Sequence, residues 1–355
     1  MTAVGPSEYR DVAGRPLVSI VLCTYNGSRF LAEQLDSLLA QSYPDIEIVA
    51  VDDNSADDTV AILTRYAEQD SRIRVVVNPV NLGFARNFES SFKLSRGAFI
   101  APCDQDDIWL PEKVSALLVA IEGHAMAYCD STLIGEVATA SGHRMSQVVP
   151  MRSMDDPLPF AFGNCVSGHA MLFRRALLEL AMPVPQGFFY DWWLAAVASA
   201  KGGVRYCDRS LVLYRQHGNN VTDTRLAQML IEAGLSGVPT SEVKAVPRKP
   251  VPDAVQPDRK RDRKLQYLRE TEQRLKSLGE LPGPHQPFTA ELLRLWRARE
   301  SQWISVALWR AMTSNQDRLL ALTSMSGRKK ARYCADFLWG LRAQRLNPKR
   351  AHLLS

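Results

Sequence analysis

Between residues 17 and 103 the chain alternates short, solidly apolar runs with longer stretches in which apolar residues recur every three or four positions. Residues 17–23 are β-rich and apolar throughout, which predicts a strand buried on both faces. The turn Thr24-Tyr25-Asn26-Gly27 follows. Residues 30–41 then take helical spacing, with Leu31, Leu35, Leu38 and Leu39 on one face, until Pro44-Asp45 breaks the pattern. Residues 46–51 predict a second buried strand ending in Asp52-Asp53-Asn54-Ser55, followed by a helix with Val60, Leu63 and Ala67 inward. A third strand spans residues 73–77, closed by Asn78-Pro79 and Asn81-Leu82-Gly83. A third helix spans 84–94 and a fourth strand 99–102. Strands alternating with helices imply a mostly parallel sheet covered on both faces. Ligands of such sheets bind beyond the carboxyl ends of the strands, where Thr24, Asp52, Asp53, Asp104 and Asp106 all fall.

The pattern beyond residue 126 is less regular. Residues 127–130 predict a strand, 135–160 loops, 174–181 a short helix, and 188–200 a helix that carries Tyr190-Asp191-Trp192-Trp193. Residues 211–214 predict a strand leading into Arg215-Gln216-His217-Gly218-Asn219-Asn220. Pro239, Pro247, Pro250, Pro252 and Pro257 then mark a linker over residues 236–257. Beyond it lie a charged helix over 258–279, a helix over 289–312 with Leu292, Trp296 and Trp303 spaced by four and seven, and a last helix over 329–345. The expected organisation is an N-terminal arm (1–15), a body (16–235), the linker and a basic helical region (258–355).

Composition changes this picture in two places. The hydrophobic share of 46% and charged share of 23% are those of an ordinary globular chain, and no apolar run reaches membrane-spanning length. The polar N-terminus lacks a signal-peptide core, and six scattered cysteines without a CxxC pair read as buried thiols, so a cytoplasmic location is expected. The net charge of +5 conceals an asymmetry. Residues 1–224 hold 18 Lys and Arg against 26 Asp and Glu, whereas residues 225–355 hold 25 against 12. A basic tail either attracts phosphate-rich partners such as an anionic membrane surface, or forms a solvated helical face.

Asp104-Gln105-Asp106-Asp107 stands between an apolar strand and Ile108-Trp109-Leu110-Pro111. Three carboxylates in four positions repel one another, so a folded chain keeps them together where a cation offsets the repulsion. Oxygen ligands suit Mg2+ or Mn2+, whose usual further ligand is a diphosphate. Asp52-Asp53 offers more carboxylate than helix capping needs, and a carboxylate there can accept from a ribose hydroxyl or a pyrimidine imide. Asp191 lies among Phe188, Phe189, Tyr190, Trp192 and Trp193, surroundings that raise a carboxyl's pKa and suit a base, although helix capping explains it too.

With these pieces in this order, the chain resembles the family-2 glycosyltransferases and, within them, the rhamnosyltransferase-type branch of polysaccharide assembly. The resemblance rests on residues 18–26 (VSIVLCTYN), 51–55 (VDDNS), Asn81-Leu82-Gly83, 104–109 (DQDDIW), Tyr190-Asp191-Trp192-Trp193 and 214–221 (YRQHGNNV), and covers about residues 16–222. It implies the α/β glycosyltransferase A fold of nucleotide-diphospho-sugar transferases, with helices flanking a mostly parallel sheet and a C-terminal helical extension. It implies an inverting transferase that moves a sugar, rhamnose first, from dTDP-rhamnose or a UDP-sugar to a hydroxyl of a glycan or lipid-linked acceptor. Thr24, Tyr25, Asp52, Asp53, Arg86 and Asp104 would hold the nucleotide, with Arg215 either on the diphosphate or paired with an acidic loop. Asp104, Asp106 and His217 would hold Mn2+ or Mg2+, and Asp191 would be the base. His169, Asp130, Trp192 and Trp193 would meet the acceptor, with core packing as the alternative for both tryptophans. Family members often carry Glu-Asp where this chain has Tyr190-Asp191, so the first acidic role is absent or moved. Trp296, Trp303, Trp309 and Trp339, interleaved with arginines, suit an interfacial helix on the inner leaflet, or docking on the body or a second subunit. A metal-dependent phosphodiesterase or nuclease is the competing class. A nicotinamide enzyme fits poorly, since no GxGxxG follows the first strand, and a nucleic-acid partner is not expected.

Overall fold

The computed structural model describes residues 14–136, 138, 140–217 and 259–339; the Pro-rich linker and most of the N-terminal arm lie outside the described residues. The described residues fall into two compact units. One holds residues up to Met154, Val166–Val184, and those from Phe189 to residue 217. The other holds Asp155–Cys165, Pro185–Phe188 and residues 259–339.

The first unit is built on one sheet. In chain order it contains β1 (Val18–Thr24), α1 (Leu31–Leu39), β2 (Ile46–Asp52), α2 (Thr59–Gln69), β3 (Ile73–Val77), α3 (Phe84–Phe92), β4 (Phe99–Cys103), β5 (Ile108–Trp109), α4 (Lys113–Ala120), β6 (Met126–Ile134), β7 (Ala140–Arg144), β8 (Met171–Arg174), α5 (Leu178–Ala181), α6 (Tyr190–Lys201) and β9 (Val204–Arg215). The strand order is β3-β2-β1-β4-β8-β6-β9-β5, with β7 paired to β6. β3, β2, β1 and β4 run parallel, and β6 runs parallel to β9. β8, β7 and β5 are antiparallel to their neighbours.

Every residue of β1, β2 and β4 is buried, as strands covered on both faces require. Ile20, Leu22, Ile48 and Ala101 pack beneath Leu31, Leu35 and Leu38 of α1 in one continuous core. Register brings Thr24 beside Asp52 and Leu22 beside Cys103, so three separate loops leave the sheet side by side. β9 is longer than the four residues expected. Its first half carries the half-buried Arg205 and the exposed Asp208 and Arg209, which hides its strand character, while its pairing to β6 shifts register around Asp130. Five described cysteines are buried and Cys207 is half-buried; all six are free thiols.

The second unit is helical: α7 (Arg259–Glu280), α8 (Gln286–Ala298), α9 (Val306–Ser314), α10 (Gln316–Leu319) and α11 (Gly327–Ala335). Its core includes Leu158, Phe160, Leu275, Leu278, Leu292, Leu308, Met312 and Phe337. Arg274 of α7 is buried and donates to the carbonyls of Ala161 (2.9 Å) and Gly187 (3.2 Å), which fastens both inserted segments. The single helix expected over 289–312 is two. Ile304 forms an antiparallel bridge with Trp339, and Ser305 N–H donates to the Leu338 carbonyl, which draws the chain out of helical geometry. The same bridge follows the last described helix, which ends at Ala335; residues 340–345 of the helix expected over 329–345 lie outside the described residues. Trp296 is buried between Phe162 and Phe337, so it belongs to this core and not to an interfacial face.

Candidate active site

The strand ends carry polar residues that first of all tie the loops together. Asp52 is fully buried. Its Oδ1 accepts from the hydroxyls of Thr24 (2.8 Å) and Ser55 (2.6 Å), and its Oδ2 from the Ser55 N–H (2.8 Å). Asp53 accepts from Asn78 Nδ2, Leu82 N–H and Gly83 N–H, each at 2.8 Å. Gly83 has φ of 83°, a left-handed conformation that favours glycine. Both residues expected at the nucleotide thus accept hydrogen bonds from protein groups, and Asp53 folds the Asn81-Leu82-Gly83 turn that leads into α3. Thr24 is likewise buried on Asp52, whereas Tyr25 and Arg86 are exposed and present their side chains to solvent. Asn87 is buried, with Nδ2 on the Val51 carbonyl.

The loop after β4 carries the carboxylates. Gln105 holds it to the first loop, accepting from the Tyr25 N–H (2.8 Å) and donating to the Tyr25 carbonyl (3.1 Å). Asp106 Oδ2 lies 2.8 Å from His217 Nε2, so residues 111 apart in sequence meet directly. Asp107 is fully buried. Its Oδ1 accepts from Arg215 N–H (3.0 Å), while Oδ2 is buried without a hydrogen-bond partner. His169 Nδ1 lies 3.8 Å from Asp104 Oδ2 and 3.9 Å from Asp107 Oδ2, and its Nε2 meets Ser131 Oγ at 2.9 Å.

Burial, then Asp106 and Asp191, push the Asp104 carboxyl up to about 7, and burial, then Asp106 and Asp104, push Asp107 well above the carboxylate range. Burial holds His169 down at about 3, so its ring is neutral and keeps a lone pair. Asp104, Asp107 and His169 each bring a ligand atom within 4.8 Å of the others. Carboxylate and imidazole donors, one of them an orphaned buried oxygen, fit a divalent cation. The trio that comes together, Asp104, Asp107 and His169, shares only Asp104 with the expected set of Asp104, Asp106 and His217, of which Asp106 and His217 meet as a pair.

A resident cation also lies here that the sequence reading missed. Lys113, at the start of α4, is fully buried. Its ammonium sits 2.9 Å from the centroid of the Trp109 ring and donates to the His169 carbonyl at 2.5 Å. Burial lowers it to about 7, while Asp107 and Asp104 favour its charged form. A lysine opening a helix after Pro111-Glu112 looks like any solvated residue, and only its four-residue spacing from Trp109 hinted otherwise.

Asp191 stands in the first turn of α6 and accepts from the Trp192 N–H at 2.7 Å. Burial raises its carboxyl to about 6, against the hydrogen bonds it accepts from backbone groups including Gly168. Tyr190 stacks on Phe88 with ring centroids 4.4 Å apart and is buried. Its hydroxyl lies so near Gly168 that a Cβ there would come within 2.1 Å. Trp193 is buried, with Nε1 on the Ala181 carbonyl at 2.8 Å, so its expected acceptor role is corrected to core packing. Trp192 is half-buried. His169 is buried and stacked on Tyr214 at 4.4 Å, facing the carboxylates and not an open acceptor surface. Asp130 is buried and paired with Arg144 at 2.8 Å, which removes it from the acceptor side.

Arg215 is 1% exposed and directed into protein. Its Nε donates to the Asp106 carbonyl (2.8 Å), its Nη1 to the Glu136 carbonyl (2.5 Å), and its Nη2 pairs with Glu33. Of the two roles left open for it, the pairing with acidic neighbours is the one observed. Gly218, Asn219 and Asn220 lie outside the described residues.

Residues 19–180 match the family described as Glycosyl transferase family 2. An uncharacterized glycosyltransferase of Haemophilus influenzae is 26% identical over 220 residues, 58% of this chain and 68% of its own length. The Escherichia coli protein named UDP-Glc:alpha-D-GlcNAc-diphosphoundecaprenol beta-1,3-glucosyltransferase WfaP is 25% identical over 227 residues, 62% of this chain and 85% of its own. The matched share of other relatives is smaller, 66% for a glycosyltransferase of Nostoc and 15% for a Sinorhizobium fredii protein. Among solved structures, S. aureus TarS 1-349 in complex with UDP-GlcNAc aligns at 16% identity and a TM-score of 0.49, over 87% of this chain and 93% of that one. An α/β sheet of glycosyltransferase A type with loops converging at its carboxyl edge, and a match to family-2 glycosyltransferases over residues 19–180, from β1 into α5, are those of a transferase.

Proposed function

We propose that the first unit transfers a sugar, with inversion, from a nucleotide-diphosphate donor to a hydroxyl of a glycan or lipid-linked glycan. The observation that carries this reading is the meeting of Asp106 and His217 at 2.8 Å beside Asp104, with Asp191 near enough to help raise the Asp104 carboxyl to about 7. Asp191 takes the acceptor hydroxyl's proton. The acceptor oxygen bonds to the anomeric carbon as the carbon–oxygen bond to the diphosphate breaks, and that electron pair leaves on the diphosphate. Mn2+ or Mg2+, held by Asp104, Asp106 and His217, would neutralise charge on the departing diphosphate. The exposed Tyr25 ring and Arg86 are the side chains best disposed to meet the nucleotide.

Rhamnose from dTDP-rhamnose is the first donor choice on motif grounds. A UDP-hexose is the second, and the name of the E. coli relative, a UDP-Glc enzyme with a diphosphoundecaprenol-linked acceptor, supports it. Among the described residues no helix is long and apolar enough to cross a membrane. A lipid-linked acceptor would suit peripheral contact with the inner leaflet, supported by the exposed Trp303 and Ile304 and by the exposed Arg328, Lys329 and Arg332. Pelleting with anionic vesicles tests it: Trp303→Ser with Ile304→Ser should lower the bound fraction, and an unchanged fraction removes the contact.

The deciding experiment is thermal stabilisation by dTDP, UDP and their sugars, with and without Mn2+. Stabilisation that needs the metal is expected. Its absence for every nucleotide, or turnover retained by folded Asp106→Ala or Asp191→Ala, overturns the reading. Cleavage of plain DNA with Mg2+ would favour a phosphodiesterase instead.

A further inference from the structure

We propose that Arg215 is a positioning residue: it clamps the loop of Asp106 and the strand end of His217 into one rigid group, and so sets the affinity for the metal without touching the donor. This rests on the reading of Asp106 and His217 as metal-holding residues.

The argument is geometric. Arg215 ends β9, two residues before His217. Its backbone N–H donates to Asp107 Oδ1 at 3.0 Å and its Nε to the Asp106 carbonyl at 2.8 Å, so it grips the carboxylate loop through two adjacent residues. Nη1 reaches the Glu136 carbonyl, at the end of the β6 region, and Nη2 reaches Glu33 of α1. The guanidinium carbon lies 4.6 Å from the centroid of the Phe30 ring, and that same ring lies 5.0 Å from the His217 ring. Every nitrogen of the guanidinium meets a protein oxygen. A planar fork with donors in fixed directions reaches three segments spread around its edge, whereas an ammonium offers its three donors from a single nitrogen. The carboxylate loop and the segment after β9 carry the two groups that meet at 2.8 Å, so Arg215 fixes both halves of the pair from behind. Partners that orient metal ligands typically govern affinity by tenfold to a hundredfold when removed.

A diphosphate ligand and a positioning residue predict different binding behaviour. Mn2+ affinity would be measured by paramagnetic resonance on the metal alone, and UDP affinity by calorimetry in EDTA, for the wild type, His217→Ala, Arg215→Met, Arg215→Lys and Glu33→Gln. Arg215→Met is expected to weaken Mn2+ about tenfold to a hundredfold, with UDP affinity in EDTA unchanged and Arg215→Lys intermediate. Glu33 is 56% exposed on α1. Glu33→Gln takes the charge off one tie without disturbing the core and is expected to weaken Mn2+ a few-fold; it decides the matter if Arg215→Met does not fold. If His217→Ala binds Mn2+ as the wild type does, the metal-site reading falls, and this inference with it. If His217→Ala weakens Mn2+ but the folded Arg215 and Glu33 variants do not, only the inference falls. Weaker UDP binding by Arg215→Met in EDTA would make Arg215 a diphosphate ligand and overturn it as well.

Discussion

Replacing Asp191 by Asn should abolish transfer and stabilise the protein at the same time. The amide oxygen can still accept from the Trp192 N–H, so the first turn of α6 keeps its geometry. What disappears is a carboxylate that the fold makes costly to ionise. In the folded chain burial moves its pKa from 3.8 to about 6. Well below pH 3.8 the carboxyl is neutral folded or unfolded, and the two proteins should melt alike on this account. As pH rises from 3.8 to about 6 the unfolded wild type ionises at no cost while the folded one stays protonated, so stability is lost across that window; above it the folded carboxyl ionises too and the loss levels off. The difference between the two pKa values corresponds to a ceiling of about 3 kcal/mol at pH 8. At about 2–4 °C per kcal/mol for a domain of this size, Asp191→Asn should melt up to about 10 °C higher. Relief of Asp104 from its neighbour's charge acts in the same direction. Melting curves in EDTA from pH 4 to 8 measure this, and a transfer assay at pH 8 tests the chemistry. A wild type and variant whose melting temperatures stay parallel across the whole range would refute the electrostatic reasoning, and turnover by the variant would refute Asp191 as base.

Wild-type turnover should climb between pH 5 and 7 as Asp191 ionises, and a flat acidic limb would exclude it as the group being titrated. Gly168→Ala should destabilise by about 1–3 kcal/mol through overpacking and lower kcat, because the new methyl group would meet the Tyr190 ring carbon Cζ at 2.9 Å and its hydroxyl oxygen at 2.1 Å; urea unfolding and initial rates check both. Lys113→Met removes the charge that lowers the Asp104 carboxyl, so the pH at which Mn2+ binding is half lost should move upward from the wild-type value; an unmoved or lower midpoint would show that Lys113 exerts no field there.

The parallel half of the fold was legible because β1, β2 and β4 are buried on both faces, and such strands are written as unbroken apolar runs. The pairing of Asp106 with His217 was legible through motif order alone. Asp52 and Asp53 were not, because a carboxylate at a strand end reads the same whether it awaits a ligand or fastens a turn. The donors that settle Asp53, Leu82 and Gly83, lie about thirty residues away. Lys113 was invisible for a related reason: the group that fixes its burial with Trp109 and the carboxylates just before it is His169, 56 residues further on. In the helical unit the spacing of Leu292 and Trp296 was read correctly as one face, but the extended pairing of Ile304 with Trp339 overrides helical periodicity and is encoded in no local pattern.

The inserted segments make the chain difficult to shorten. Leu158, Phe160, Ala161 and Phe162 are shielded within the helical unit, and Arg274 secures the backbone of that stretch. A gene cut ahead of Asp258 would therefore still encode the greasy ribbon while deleting its cover. The resulting polypeptide should collect in inclusion bodies unless those four positions are also rewritten with soluble residues.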